Sequence, residues 1–139
     1  MREPLTYEVA HTAAEAAIEL GRAQGLHVSV SVVNRSGITK VILSDDGAGP
    51  IAVETGRRKA YTSAVTGMPT AMFAEFVSDP RMAAAPPHQL DPNLLAAPGG
   101  LPIAIEGEII GGIGVGGADG ATDTSLAEQA LQRIAGLLA

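Results

Sequence analysis

Three imidazoles, one run of three cations and a glycine-laden strand are the features of this sequence whose residue types are suited to chemistry. His11 has Glu8 three residues before it and Glu15 four after, so on a helix both carboxylates lie one turn away. A neutral imidazole in that setting can ligate iron or pass a proton. It can equally sit in ordinary ion pairs on a solvated helix. His27 opens a period-two segment on the side opposite Val28, Val30 and Val32, which predicts exposure to solvent. His88 stands beside Gln89 and Asp91 in a proline-rich stretch, where a histidine near a carboxylate serves catalysis or simply faces water. Nowhere do three ligands converge in sequence, so no stable metal site is expected. Arg57, Arg58 and Lys59 follow Glu54. Successive helical residues point about 100° apart, so these three cannot share one face. Glu54 reaches Arg57 or Arg58 as a surface pair, and arginines so placed also suit ligand carboxylates.

Ile109 to Gly117 reads Ile-Ile-Gly-Gly-Ile-Gly-Val-Gly-Gly. Strand alternation turns Ile109, Gly111, Ile113 and Val115 one way and Ile110, Gly112, Gly114 and Gly116 the other. Three glycines on one face weaken a strand, so another surface must press on the backbone there. Packing by a helix or a neighbouring subunit is the favoured reading, over contact with a flat ligand. Gly112 to Gly117 also fits the glycine spacing of the dinucleotide fingerprint. That match is rejected, because the acidic residue roughly 20 positions on and a further βαβ unit are both lacking. No hydrolase elbow, phosphate loop or paired-histidine zinc motif is present.

Composition narrows the partners. With 46% hydrophobic residues in 139, the chain is a single globular domain, spanning 1–139, with one proper core. Aromatics make up only 3% and tryptophan is absent, so that core must be aliphatic. A formal charge of -6 repels phosphate backbones, and no basic cluster is interleaved with aromatics, so no nucleic-acid partner is expected. Without cysteine there are no disulfides, thiolate metal sites or cysteine nucleophiles. No window approaches the roughly 18 apolar residues of a membrane span. Met1-Arg2-Glu3-Pro4 leads straight into an amphipathic segment without an apolar leader, and the expected location is cytoplasmic.

The elements that must position these residues follow from periodicity. Leu5, Val9, Ala13, Ala16 and Leu20 recur at helical spacing, predicting a helix from Thr6 to Gly21 that Gly21 or Gly25 ends. Leu26 to Val32 alternates as a half-buried strand, turns at Asn34-Arg35-Ser36-Gly37 and pairs with Thr39 to Ser44. Ile51 to about Val65 reads as a helix. A shorter one follows Pro69, with Met72, Phe73 and Phe76 at core spacing. Six of the nine prolines fall between Ser78 and Pro102, in a stretch read as an ordered loop with one short strand around Leu94-Leu95. Leu101 to Ile105 and Glu108 to Val115 form a second hairpin, turning at Glu106-Gly107. Ser125 to Glu128 reads as a capping box opening a last helix that buries Leu126, Ala130, Ile134 and Leu137. This order argues for an α+β fold, an antiparallel sheet with helices packed on it.

Ser29-Val30-Ser31-Val32-Val33-Asn34 with Gly37, the run Arg57 to Ala64, and Pro98-Gly99-Gly100-Leu101-Pro102-Ile103 followed by the glycine strand together resemble the GlcG/HbpS-like, or "haem-degrading", domain family. The resemblance covers about Val28 to Ala130 in the family's order and spacing. It implies a profilin-like antiparallel sheet of about five strands flanked by helices, and assembly into dimers or larger homo-oligomers. One branch of the family binds haem, and another is the C-terminal domain of PduO-type proteins. It further implies a haem contact from a histidine in the first helix, the position His11 occupies. Asn34 stands where the family usually has Asp.

Two functions follow as expectations. One is a haem- or tetrapyrrole-binding protein, whether or not it also degrades haem, with His11 as axial ligand, Arg57 or Arg58 meeting the propionates, and Met68, Met72 or Phe73 as an apolar wall. The other is an enzyme or binder for a small oxygenated metabolite. Its pocket would lie at a subunit interface, shaped by His88 and the Pro98-Gly99-Gly100-Leu101 turn. Beside these two stands a blander reading, a non-catalytic assembly module.

Overall fold

The computed structural model describes residues 3–138. Strands β1 (Ser29–Asn34), β2 (Thr39–Ser44), β3 (Gly100–Ile105) and β4 (Glu108–Gly116) form one antiparallel sheet in the order β2-β1-β4-β3. Helices α1 (Tyr7–Ala23) and α5 (Gly120–Ile134) cover one face, and α2 (Pro50–Thr66) covers the other. Helix α3 (Thr70–Ser78) and the single turn α4 (Pro87–Leu90) belong to the long connection between α2 and β3. The α+β class is as expected, with four strands among the described residues rather than about five.

Thr6 caps α1 by accepting a hydrogen bond from the Val9 amide, and five buried alanines line its inner side. Those small residues let the helix lie close to Val28, Val30, Val32, Ile113 and Val115, which with Leu126 and Ile134 make the aliphatic core. Strand β1 is buried along its whole length, not on one face only. Val30 and Val32 look towards α1 and α5, while Ser29, Ser31 and Val33 look towards α2. Being flanked by β2 and β4 and covered on both sides, β1 is the centre of the molecule.

The glycine face of β4 receives α2. A Cβ on Gly112 would stand 2.7 Å from the Ala64 nitrogen, and one on Gly114 would collide with the Gly56 carbonyl and the Ala60 amide. The surface that presses on the backbone is therefore a helix of the same chain. The alternation itself fails at one point. The β3–β4 register slips between Ile103 and Ala104, so Ile110 is an extra residue and joins the aliphatic core, while Ile109 turns towards Gly67 at the end of α2. Glu106 and Gly107 both have positive φ, 50° and 82°, as a two-residue hairpin turn requires.

Elsewhere the local expectations need correction. No strand forms at Leu94-Leu95, because Asp91, Asn93 and the Leu95 amide are tied to side chains of α2 instead of to a neighbouring strand. Helix α5 starts at Gly120 with Asp119 as its cap, so Ser125 is interior, and Leu137 lies exposed beyond the helix. Of the three apolar residues expected at core spacing in α3, Phe73 is buried, whereas Met72 and Phe76 are exposed. No helix of the described residues is long and apolar enough to cross a membrane.

Candidate functional site

The alanine-lined side of α1 points inward, which leaves Tyr7, His11 and Glu15 at four-residue intervals on its outer side. The Tyr7 and His11 rings stand 5.9 Å apart with a 35° tilt. His11 is partly exposed, and its Nδ1 lies 3.7 Å from Glu15 Oε2. A cleft of about 280 Å³ opens beside them between α1 and β2, with Ile18 and Leu43 among its apolar walls and Glu19, Arg22 and Asp45 among its polar ones.

At the far end of that cleft Asp45 is almost wholly buried. The Arg22 guanidinium forks onto both its oxygens at 2.7 and 3.1 Å, and His27 Nδ1 lies 3.3 Å away. Arg22 holds the Asp45 carboxyl well below its usual range, at about 2. His27 is more than half exposed, as its place at the strand's opening predicts, but it is anchored where the sequence shows no partner.

On α2, Arg57 and Arg58 converge on Glu54, at 2.6 and 2.8 Å, and pull its carboxyl down to about 2. Arg57 also donates to Asn93, while the Tyr61 hydroxyl donates to Asp91 at 2.7 Å. This bond raises the phenol above its ordinary range. Lys59 points the other way, into the protein. Its Nζ donates to the Val115 carbonyl at 2.9 Å and pairs with Asp123 at 3.1 Å, with both side chains less than a tenth exposed. Burial pushes the Asp123 carboxyl up, against the pull of Lys59.

Gly99 and Gly100 are folded over Lys59. A Cβ on Gly99 would stand 2.7 Å from Lys59 Nζ, and the Gly100 amide donates to Thr70 Oγ1 at 2.9 Å. Pro98 remains exposed, and Leu101 packs against the aliphatic core. His88 is half-buried in α4 with its Nδ1 unpartnered, while Asp91, its neighbour in sequence, is engaged by Tyr61 and Asn93. Met72 lies exposed on α3.

The structure thus gathers Arg57 with Arg58, and Gly99 with Gly100, but separates both groups from His11. Within one chain α1 and α2 lie on opposite faces of the sheet, so one ligand cannot touch His11 and these arginines together. Two clusters escape a sequence reading, Arg22–Asp45–His27 and Lys59–Asp123. A signal exists for the second: Lys59 shares the helical stripe of Ala52, Gly56, Ala60 and Ser63, and Asp123 shares that of Leu126, Ala127 and Ala130. Among the described residues no three histidine or carboxylate side chains cluster as a metal site.

A family model described as "Haem degrading protein HbpS-like" matches residues 5–132. Protein GlcG of Escherichia coli strain K12 is 30% identical over 111 residues, which make up 80% of each chain. The crystal structure of a double mutant of Streptomyces reticuli HbpS is similar with a TM-score of 0.83 at 40% identity, over 94% of this chain and 86% of that one. That of a PduOC–heme complex is similar with a TM-score of 0.83 at 25% identity, over 92% of this chain and 93% of that one.

Proposed function

Since this chain belongs to the HbpS-like family of haem-degrading proteins, we propose that it binds haem, with His11 as the ligand to iron. One observation carries the reading: a relative with the same fold over nine-tenths of both chains is known in complex with heme. The residues on α1 suit such a ligand. His11 is accessible and makes no hydrogen bond among the described residues, an aromatic ring stands beside it, and the adjoining cleft has apolar walls. Haem, when bound, supplies a redox-active iron, and the chain supplies an imidazole donor and a partly apolar bed.

The cleft is smaller than the roughly 300–1,000 Å³ of pockets that enclose organic ligands. Haem bound at His11 would therefore keep one face uncovered. Arg57, Arg58 and Met72 would reach it only from a second copy of the chain, so the proposal includes a homo-oligomer. Degradation is the second reading, and the family's description favours it.

Titration of ferric haem at low micromolar concentration tests the proposal. The expected result is a saturable Soret band with wild type, lost in His11→Ala and kept in His88→Ala. If wild type gives no defined band, haem binding is wrong. Adding ascorbate in air then separates the two readings. Decay of the band with iron appearing in a chelator supports breakdown, and a lasting band supports binding alone.

A further inference from the structure

Of the carboxylates that line the clefts beside His11, each can be assigned to a partner, with one exception. Asp45 is held by the Arg22 fork, and Glu19 is paired with Arg133 at 3.2 Å. Glu15 has no cation among the described residues except His11 itself, 3.7 Å away and just beyond hydrogen-bond range. It stands on the crest of α1, lining both the cleft towards β2 and a second one, of about 320 Å³, towards α5. Tyr7 lies one turn to the N-terminal side of the imidazole and Glu15 one turn to the C-terminal side, facing Nδ1.

We infer that Glu15 is a positioning residue for His11, the carboxylate that accepts a hydrogen bond from the Nδ1–H group when the other ring nitrogen binds iron. The inference rests on haem ligation by His11. Coordination through Nε2 fixes the remaining proton on Nδ1, and that is the atom Glu15 faces. A rotation about the flexible Glu15 side chain is enough to turn 3.7 Å into a hydrogen bond. Such a bond orients the ring and makes the imidazole a stronger donor, which favours ferric over ferrous iron. Glu15 is more than half exposed and supports no other part of the fold, so replacing it leaves the protein folded.

The test compares haem-loaded wild type with Glu15→Gln, Glu15→Ala and Glu128→Gln, the last at an exposed carboxylate of α5 that lines neither cleft. Three quantities are read: haem affinity, the ferric/ferrous midpoint potential and the iron–imidazole stretch of the ferrous form. For Glu15→Ala the expected result is affinity weakened about ten- to a hundredfold, a higher potential and a lower stretching frequency. Glu15→Gln should fall between it and wild type, and Glu128→Gln should match wild type. Wild-type values in both Glu15 variants would overturn the inference, as would equal shifts in Glu128→Gln, which would indicate a general effect of surface charge. If His11→Ala keeps the wild-type spectrum, the choice of ligand is at fault and the role of Glu15 falls with it. A wild type without any Soret band marks the separate failure of haem binding.

Discussion

At Asp45 burial favours the neutral acid, and the guanidinium fork of Arg22 outweighs it. The folded-state value, about 2, lies below the ordinary 3.8. A carboxyl depressed on folding contributes stability that is fully present above its unfolded value and is lost as pH falls through the folded one. Stability should therefore drop between about pH 4 and pH 2, and Asp45→Asn should flatten that limb. Urea melts at half-unit pH steps would check this, and equal acid limbs in both proteins would contradict it. Glu54, drawn down to about 2 by Arg57 and Arg58, acts in the same window, so the variant should remove only part of the slope. At this scale the sequence is legible where partners are neighbours. Glu54 and its arginines could be read from helical spacing, as could Glu15 beside His11. The burial of Lys59 and Asp123 shows in their helical stripes, but their pairing, like that of Arg22 with Asp45, does not, since 64 and 23 residues separate the partners and only the fold brings them together.

Among the elements, the packing of α2 on β4 is set by the absence of side chains. Gly114→Ala would drive a methyl group into the backbone of Gly56 and Ala60, and backbone cannot rotate away as a side chain can. A cost of about 3 kcal/mol or more is expected, a melting temperature lower by roughly 10 °C. Gly136→Ala, where a Cβ would meet nothing within 4 Å, should change it little. Comparable melts for the two would show that α2 can shift outward. Alternation and helical stripes are strong signals, so both hairpins and helices α1 and α2 are where periodicity puts them, while α5 starts a turn and more before the expected capping box. The stretch from Ser78 to Pro98 has no period. Its shape comes from bonds to Arg57, Tyr61 and Thr62, which no local pattern announces. Phe76 and Met72 mislead for a related reason: apolar residues at helical spacing imply a buried face only when another element is there to cover it.

For the molecule as a whole, the sheet sets His11 and the arginine pair of α2 on opposite sides, so completing one site around a flat ligand takes two chains. Haem-loaded protein should sediment as a dimer or larger species at micromolar concentration. A loaded chain that stays monomeric over that range would rule out the shared site while leaving ligation by His11 intact. The Lys59–Asp123 pair has a different consequence. Layers on the two sides of a sheet ordinarily touch only through it, yet here an ammonium from one layer reaches past the end of β4 to a carboxylate of the other. Lys59→Met, which leaves the Asp123 carboxyl buried without its cation, should cost about 3–5 kcal/mol. The crossbolt ties the layers to each other directly, so the two sides should come apart in a single event.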